Sequence, residues 1–317
     1  MGRVIRIGTR ESQLAVWQAT RVQQLLKKNN FESELVFIKS EGDIDLQTPL
    51  YEMGIQGIFT KSLDIALLQN KIDIAVHSMK DVPTKLAKGI REAAVLERAS
   101  YKDILVYKHE SAINNWNLSG NAFNSPLKAG GTIATSSIRR KAQWLNRYPN
   151  HTIENLRGNV NTRLRKVADQ NWEGAIFAAA GLERIGLRPE KSIDLDWMLP
   201  APAQGAILVV CRDEDIYCTE ACSHFNHIAT AACTKIERQF LNALSGGCST
   251  PISALARIES GKMLFKGNIL SVDGSEKVDI EKTVALEEAT NLGVIAAAEI
   301  LINGGQKIAD GIRDTAK

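Results

Sequence analysis

The stretch "IDIAVHS", residues 72–78, is a short apolar run closed by polar residues. A strand with apolar side chains on both faces is covered on both faces, as in a parallel α/β sheet. The neighbouring sequence agrees. "VIRIG" (4–8) reads as a strand and "SQLAVWQATRVQQLLKK" (12–28) as an amphipathic helix with Ser12 near its N-cap. "SELVFIK" (33–39) is a second strand and "FTKSLDIALLQN" (59–70) a second helix. This alternation argues for a parallel α/β unit, with ligands meeting the loops at the carboxyl ends of its strands. Between the second strand and helix, "SEGDIDLQTPLYEMGIQG" (40–57) is long and glycine-bearing, which suggests a lid or binding loop.

A second α/β unit opens near residue 103. It continues through "GGTIATSSIRRKAQWLNRYPN" (130–150), "HTIENLRGNVNTRLRKVADQ" (151–170) and "EGAIFAAAGLERIGL" (173–187), each a strand followed by a helix. "DLDWMLPAPAQGAILVVCR" (194–212) then supplies a strand that suits the first sheet. From about residue 226 the pattern changes to α+β: a helix over 229–247, hairpin strands over 252–274 and a closing helix over 289–305. The expected division is 1–98 with 200–222 as a first, discontinuous α/β domain, 103–196 as a second, and 226–317 as a third.

The chain has 317 residues, 44% hydrophobic and 24% charged, with a formal net charge of +3. Such a balance gives no general basic coat, so no nucleic-acid partner is expected, and the basic clusters lack interleaved aromatic residues. No apolar segment of membrane-spanning length and no leader are read, so a cytoplasmic protein is expected. The cysteines, at 211, 218, 222, 233 and 248, are odd in number and suit reduced thiols. "CTEACSHFNHIATAAC" (218–233) lacks zinc-knuckle spacing, and no metal site is expected. Walker and GxGxxG loops are absent from the sequence, so a nucleotide cofactor has no support. No coiled-coil heptad argues for assembly, and a monomer is expected.

The chemistry gathers at loop ends. "GTRES" (8–12) carries Arg10, and "VHSMKDVPT" (76–84) carries Ser78, Lys80 and Asp81 just past the buried strand. In "ATSSIRRK" (134–141), hydroxyls and backbone N–H groups would meet an anion at a helix N-terminus, with Arg139 and Arg140 adding forked donors. "LRGNVNTRLRK" (156–166) sets Arg157 and Arg163 about a helix start that Asn159 can cap; Arg165 is expected to face solvent. An aspartate beside a lysine stays ionised, so Asp81 could steady a cation forming on a substrate. In "FLNALSGGCSTPIS" (240–253), Gly246 and Gly247 present Cys248 on a loop where the helix runs out.

Six motifs in order, "IGTRESQLAVWQA", "DIAVHSMKDVPT", "ATSSIRRK", "LRGNVNTRL", "PAPAQGA" and "SGGCSTPIS", resemble those of the porphobilinogen deaminase family along nearly the whole chain. The resemblance implies three domains, the first two like periplasmic binding proteins and the third bearing the cysteine loop. It implies a dipyrromethane cofactor joined to Cys248 by a thioether, and an activity that adds four porphobilinogens to this primer before releasing a linear tetrapyrrole, hydroxymethylbilane. Each pyrrole carries an acetate and a propionate. Lys80, Ser78, Thr135, Ser136, Ser137, Arg139 and Arg140 are thereby assigned to the cofactor. Arg10, Ser12, Arg157, Arg163, Arg184 and Gln204 are assigned to the substrate, and Asp81 to catalysis. Asp43 stands where the family has it. Gln47, Gln56 and "PAPAQGA" depart from the commoner pattern, so no basic lid residue is carried over. Three rival classes fit less well: a polyanion-binding protein leaves Gly-Gly-Cys unexplained, a nucleic-acid binder lacks its aromatics, and a cysteine hydrolase lacks a histidine near Cys248.

Overall fold

Residues 3–39, 60–109, 131–247 and 250–315 are described by the structure, a computed structural model, with the side chains of residues 314 and 315 excepted. The expected lid, with Asp43, Gln47 and Gln56, lies outside the described residues, as does Cys248.

The first lobe is built from β1 (Ile5–Thr9), α1 (Gln13–Lys28), β2 (Ser33–Phe37), α2 (Lys61–Leu68), β3 (Ile74–Ser78) and β4 (Ile90–Val95). Ser12 caps α1 by accepting from the Ala15 amide at 3.4 Å. Ile74, Ala75 and Val76 of β3 are all buried: Ile74 and Val76 join the cluster that includes Ala19, Val22 and Leu26 of α1, and Ala75 packs with Leu63, Ala66 and Leu67 of α2. Helices on both faces are the reason this strand has no polar side until its end.

The second lobe runs through β5 (Asp103–Tyr107), β6 (Thr132–Ala134), α3 (Ile138–Arg147), β7 (Thr152–Glu154), α4 (Val160–Asp169), β8 (Gly174–Ala178), α5 (Ala179–Glu183) and β9 (Ser192–Asp194). The chain then returns through β10 (Ile207–Arg212).

Among the described residues the two lobes repeat one plan. The first sheet has the order β2-β1-β3-β10-β4 and the second β7-β6-β8-β5-β9. In each, three strands are parallel and the fourth runs against them. That fourth strand, β10 or β5, directly follows a crossing from the other lobe. This is the periplasmic-binding-protein arrangement that the resemblance implied.

The two crossings touch. The Ala99 amide donates to the Gly205 carbonyl at 3.1 Å, and Arg98 Nε to the Gln204 carbonyl at 2.8 Å. Gly205 has φ +86°, and a Cβ there would stand 2.6 Å from the Ser100 carbonyl oxygen, so only glycine lets the segments approach this closely.

After α6 (Ile216–Ser223), the third unit contains α7 (Ile228–Ala243), an antiparallel meander of β11 (Ile252–Glu259), β12 (Lys262–Leu270) and β13 (Lys277–Ala285), then α8 (Leu292–Ile300) and α9 (Gln306–Thr315). Phe240 of α7 fills the core of this unit against Phe265. The single closing helix expected over 289–305 is instead α8, a kink at Asn303 and Gly304, where Gly304 reaches φ +104°, and then α9. Strands β4, β9 and β13 also add to the sequence reading.

Glu237 of α7 binds the units together. Wholly buried, it accepts from Arg98 in the first crossing at 2.6 Å, from the Ala203 amide in the second at 2.6 Å, and from the Ala256 amide of β11 at 2.7 Å.

Candidate active site

The carboxyl ends of β1 and β3 open onto a solvent-open cleft lined by Arg10, Ser12, Leu14, Ala15, Gln18, Thr60, Val76, His77, Ser78 and Asp81. Lys80 and Asp81 sit in a single 3-10 turn after β3, fixed by the Met79 amide donating to the Ala206 carbonyl at 3.0 Å. Pro83 follows, so the chain leaves without forming a longer helix. Gln18 Nε2 donates to Ser78 Oγ at 2.9 Å, which holds that hydroxyl at the cleft. Burial pulls the Lys80 ammonium down to about 8, with Asp81 acting in the opposite direction. His77 is held neutral to about 4, by burial first and by the nearby Arg10 charge second. Its Nε2 is a buried atom without a hydrogen-bond partner among the described residues.

The second lobe contributes the other basic groups. Ser137 is the N-cap of α3 and its side chain makes no capping bond, while Ser136 Oγ donates to the Leu156 carbonyl at 2.7 Å. Thr135 Oγ1 accepts from the Ser137 amide at 3.2 Å. Asn159 caps α4 by accepting from the Thr162 amide at 3.0 Å, and Arg163 Nε donates to the Gly158 carbonyl at 2.7 Å. Arg157 is buried and Arg165 is exposed. Burial lowers Arg163 to about 10, reinforced by the charges of Arg140 and Arg157 and opposed by Asp81. Lys80 in turn feels Arg140, Asp103 and Arg139. These mutual fields bring Lys80, Asp81, Arg139, Arg140, Arg157 and Arg163 to one place between the lobes.

Two expected site residues lie at its edge. Arg184 donates to the Gly205 carbonyl at 2.7 Å and stands over the Trp17 ring at 5.8 Å, so it bridges the lobes beside the crossing. Gln204 is buried in the crossing and donates to the Tyr101 carbonyl at 2.8 Å and to Asp103 Oδ1 at 2.9 Å. Sequence reasoning missed Asp103 itself. It binds both Arg139 and Arg140, which were expected to turn toward a ligand. Its only local signal is a charged residue at the head of the apolar run "DILVY".

The helix before and the strand after residues 248–249 are both tied to this place. Arg238 of α7 donates to the Val82 and Pro83 carbonyls at 2.9 and 2.7 Å, and Thr84 Oγ1 to Asn242 Oδ1 at 3.2 Å, directly after Asp81. On the far side of the loop, Ser253 of β11 accepts from Gln143 of α3 at 3.0 Å.

Residues 5–220 match the family model described as "Porphobilinogen deaminase, dipyromethane cofactor binding domain", and residues 231–302 match that of the porphobilinogen deaminase C-terminal domain. The chain belongs to the porphobilinogen deaminase family. A protein named porphobilinogen deaminase from Pelobacter propionicus is 39% identical over 314 residues, spanning 98% of this chain and 97% of its own. One of the same name from Desulforamulus reducens is 36% identical over 313 residues, 98% of each chain. Among solved structures, the methionine-binding protein MetQ aligns over 74% of this chain and 89% of its own at 14% identity, with a TM-score of 0.43.

The residues present suit the cofactor of the porphobilinogen deaminase family, which is rich in carboxylates. Arg139 and Arg140 set two guanidinium charges against the one carboxylate of Asp103, and Arg139 Nε is a buried donor without an acceptor among the described residues. A site with surplus buried cationic donors is completed by an anion.

Proposed function

We propose that this chain is a transferase that condenses four porphobilinogen molecules, expelling ammonia at each addition, and releases hydroxymethylbilane for tetrapyrrole (haem-type) biosynthesis. When bound, the dipyrromethane supplies the pyrrole end to which the first substrate is joined.

Cys248 holds the cofactor as a thioether. Burial pushes the thiols of Cys211, Cys218, Cys222 and Cys233 above their ordinary value, so they are poor thiolates, and Cys248 is the remaining cysteine of the sequence. Arg139, Arg140 and Lys80 hold its acid groups, with Ser78, Thr135, Ser136 and Ser137 adding hydroxyl and amide contacts. Arg10, Ser12, Arg157 and Arg163 take the acetate and propionate of the incoming ring, with Arg184 and Gln204 at the crossing behind them. Asp81, which lines the cleft, would stabilise the positive charge that develops on the substrate as ammonia departs.

The observation that carries this reading is the double tie of the cysteine loop: Arg238 and Asn242 on its helical side reach the segment beside Asp81, and Ser253 on its strand side reaches the arginine helix. We propose the domain limits 1–98 with 200–222, 103–196 and 226–317, a monomer, and a cytoplasmic location. Among the described residues no helix is long and apolar enough to cross a membrane. The test is turnover of porphobilinogen by wild type and by Cys248→Ala. The variant is expected to fold and to form no hydroxymethylbilane; formation at the wild-type rate would refute the tether.

A further inference from the structure

Asp103 opens β5, the strand that follows the first crossing, and it is wholly buried. Its oxygens accept from four atoms of three side chains, one of them Arg140 Nε, which donates to Oδ1 at 3.1 Å. Oδ2 accepts from Arg139 Nη2 at 2.6 Å; Oδ1 accepts from Arg140 Nη2 at 2.7 Å and from Gln204 Nε2 at 2.9 Å. The two Nη1 atoms reach backbone: Arg139 Nη1 donates to the Leu199 carbonyl at 2.7 Å, and Arg140 Nη1 to the Ile176 carbonyl at 3.0 Å. Leu199 and Gln204 both belong to the second crossing, and Gln204 also holds Tyr101 of the first. One carboxylate therefore joins the arginine helix to both connections between the lobes.

A buried bridge that served structure alone would be balanced. This one leaves two guanidinium charges on one carboxylate, in a place with little water to compensate them. We propose that Asp103 is a positioning residue: a resident counter-ion that holds Arg139 and Arg140 in place before the dipyrromethane is present, shares them with its acid groups afterwards, and so transmits ligand charge to both crossings. The inference rests on the cofactor site proposed at Cys248. It deepens that site by giving the arginines a protein partner whose importance depends on occupancy.

The test is a double-mutant cycle on the full chain, comparing wild type, Asp103→Asn, Cys248→Ala and the double variant by thermal melting, with denaturing intact mass to establish which proteins carry cofactor. Asn keeps the shape and loses the charge. Without cofactor the two arginines then lose the carboxylate that bonds both of them among the described residues, and Asp103→Asn is expected to lower Tm by about 10 °C. With cofactor bound, its carboxylates compensate and the loss is clearly smaller. Equal losses in the two backgrounds would overturn the proposal and leave Asp103 a structural bridge. Should Asp103→Asn not be obtained both folded and loaded, hydrogen exchange on wild type and Cys248→Ala decides. Slower exchange over residues 98–103 and 199–206 in the loaded protein supports the proposal, and identical exchange overturns it. A wild-type chain without added mass would instead defeat the cofactor reading itself.

Discussion

Asp73 and Asp103 are both wholly buried carboxylates that grip more than one arginine. Asp73 stands at the amino end of β3, where it holds Arg3, Arg6 and Arg212, with Asp215 sharing Arg3 and Arg212. Asp103 pairs with Ala178, at the carboxyl end of β8 in the other lobe. The side chains of Arg3 and Arg6 are 43% and 32% exposed, whereas those of Arg139 and Arg140 are 5% and 7%. At Asp73 a second aspartate and solvent exposure share the compensation; at Asp103, among the described residues, no second carboxylate bonds the two arginines. The same pair of residue types is a fastening at one end of the molecule and, in the proposed reading, an anion-binding place at the other. Burial and charge balance make the difference.

Three variants and a pH series probe that contrast. The largest effect belongs to the cleft: Asp81→Asn should cut kcat by about 10³-fold while Tm and added mass stay as in wild type. Rates equal to wild type would remove Asp81 from the chemistry. Asp73→Asn should do the reverse. Losing the shared counter-ion of a buried cluster costs about 3–5 kcal/mol in unfolding by denaturant, while kcat and KM of the folded fraction stay unchanged. A changed KM would erase the division between the two ends.

The sequence disclosed much of this, unevenly. β3 was legible because helices on both faces remove every polar position before its end, and the loops beyond it were legible because their basic residues interrupt that pattern. Arg139 and Arg140 announced an anion but not which one, since Asp103 lies 36 positions from Arg139 and its pairing is set by the crossing of the lobes. Local period carries no such information. The strand exchange that puts β5 between β8 and β9 in the second sheet is equally non-local. In the third unit, the expected closing helix hid a kink because Asn-Gly-Gly can end one helix and begin another.

His77 gives a third, pH-dependent effect. An unfolded histidine takes its proton near pH 6.5, while the buried His77 stays neutral to about 4. Between these values the unfolded chain binds more protons. The contribution is therefore complete above about 6.5 and is lost as pH falls toward 4, to at most about 3 kcal/mol. Denaturant melts at descending pH should show this slope in wild type and a shallower one in His77→Phe; parallel slopes would mean that His77 takes its proton equally readily in the folded and the unfolded chain. The smallest effect sharpens the comparison within the cleft. Asn159→Ala removes the cap of α4, costing about 1 kcal/mol. Because Arg163 rides on that helix start, KM for porphobilinogen should rise as well; stability falling with KM unchanged would detach Arg163 from the substrate.

Denaturing intact-mass measurement of freshly purified wild type and Cys248→Ala tests the central claim most directly. The account predicts that wild type is heavier than its chain by two condensed pyrrole units and that the variant has the bare chain mass. A bare wild-type chain, or the same excess surviving in Cys248→Ala, would contradict it.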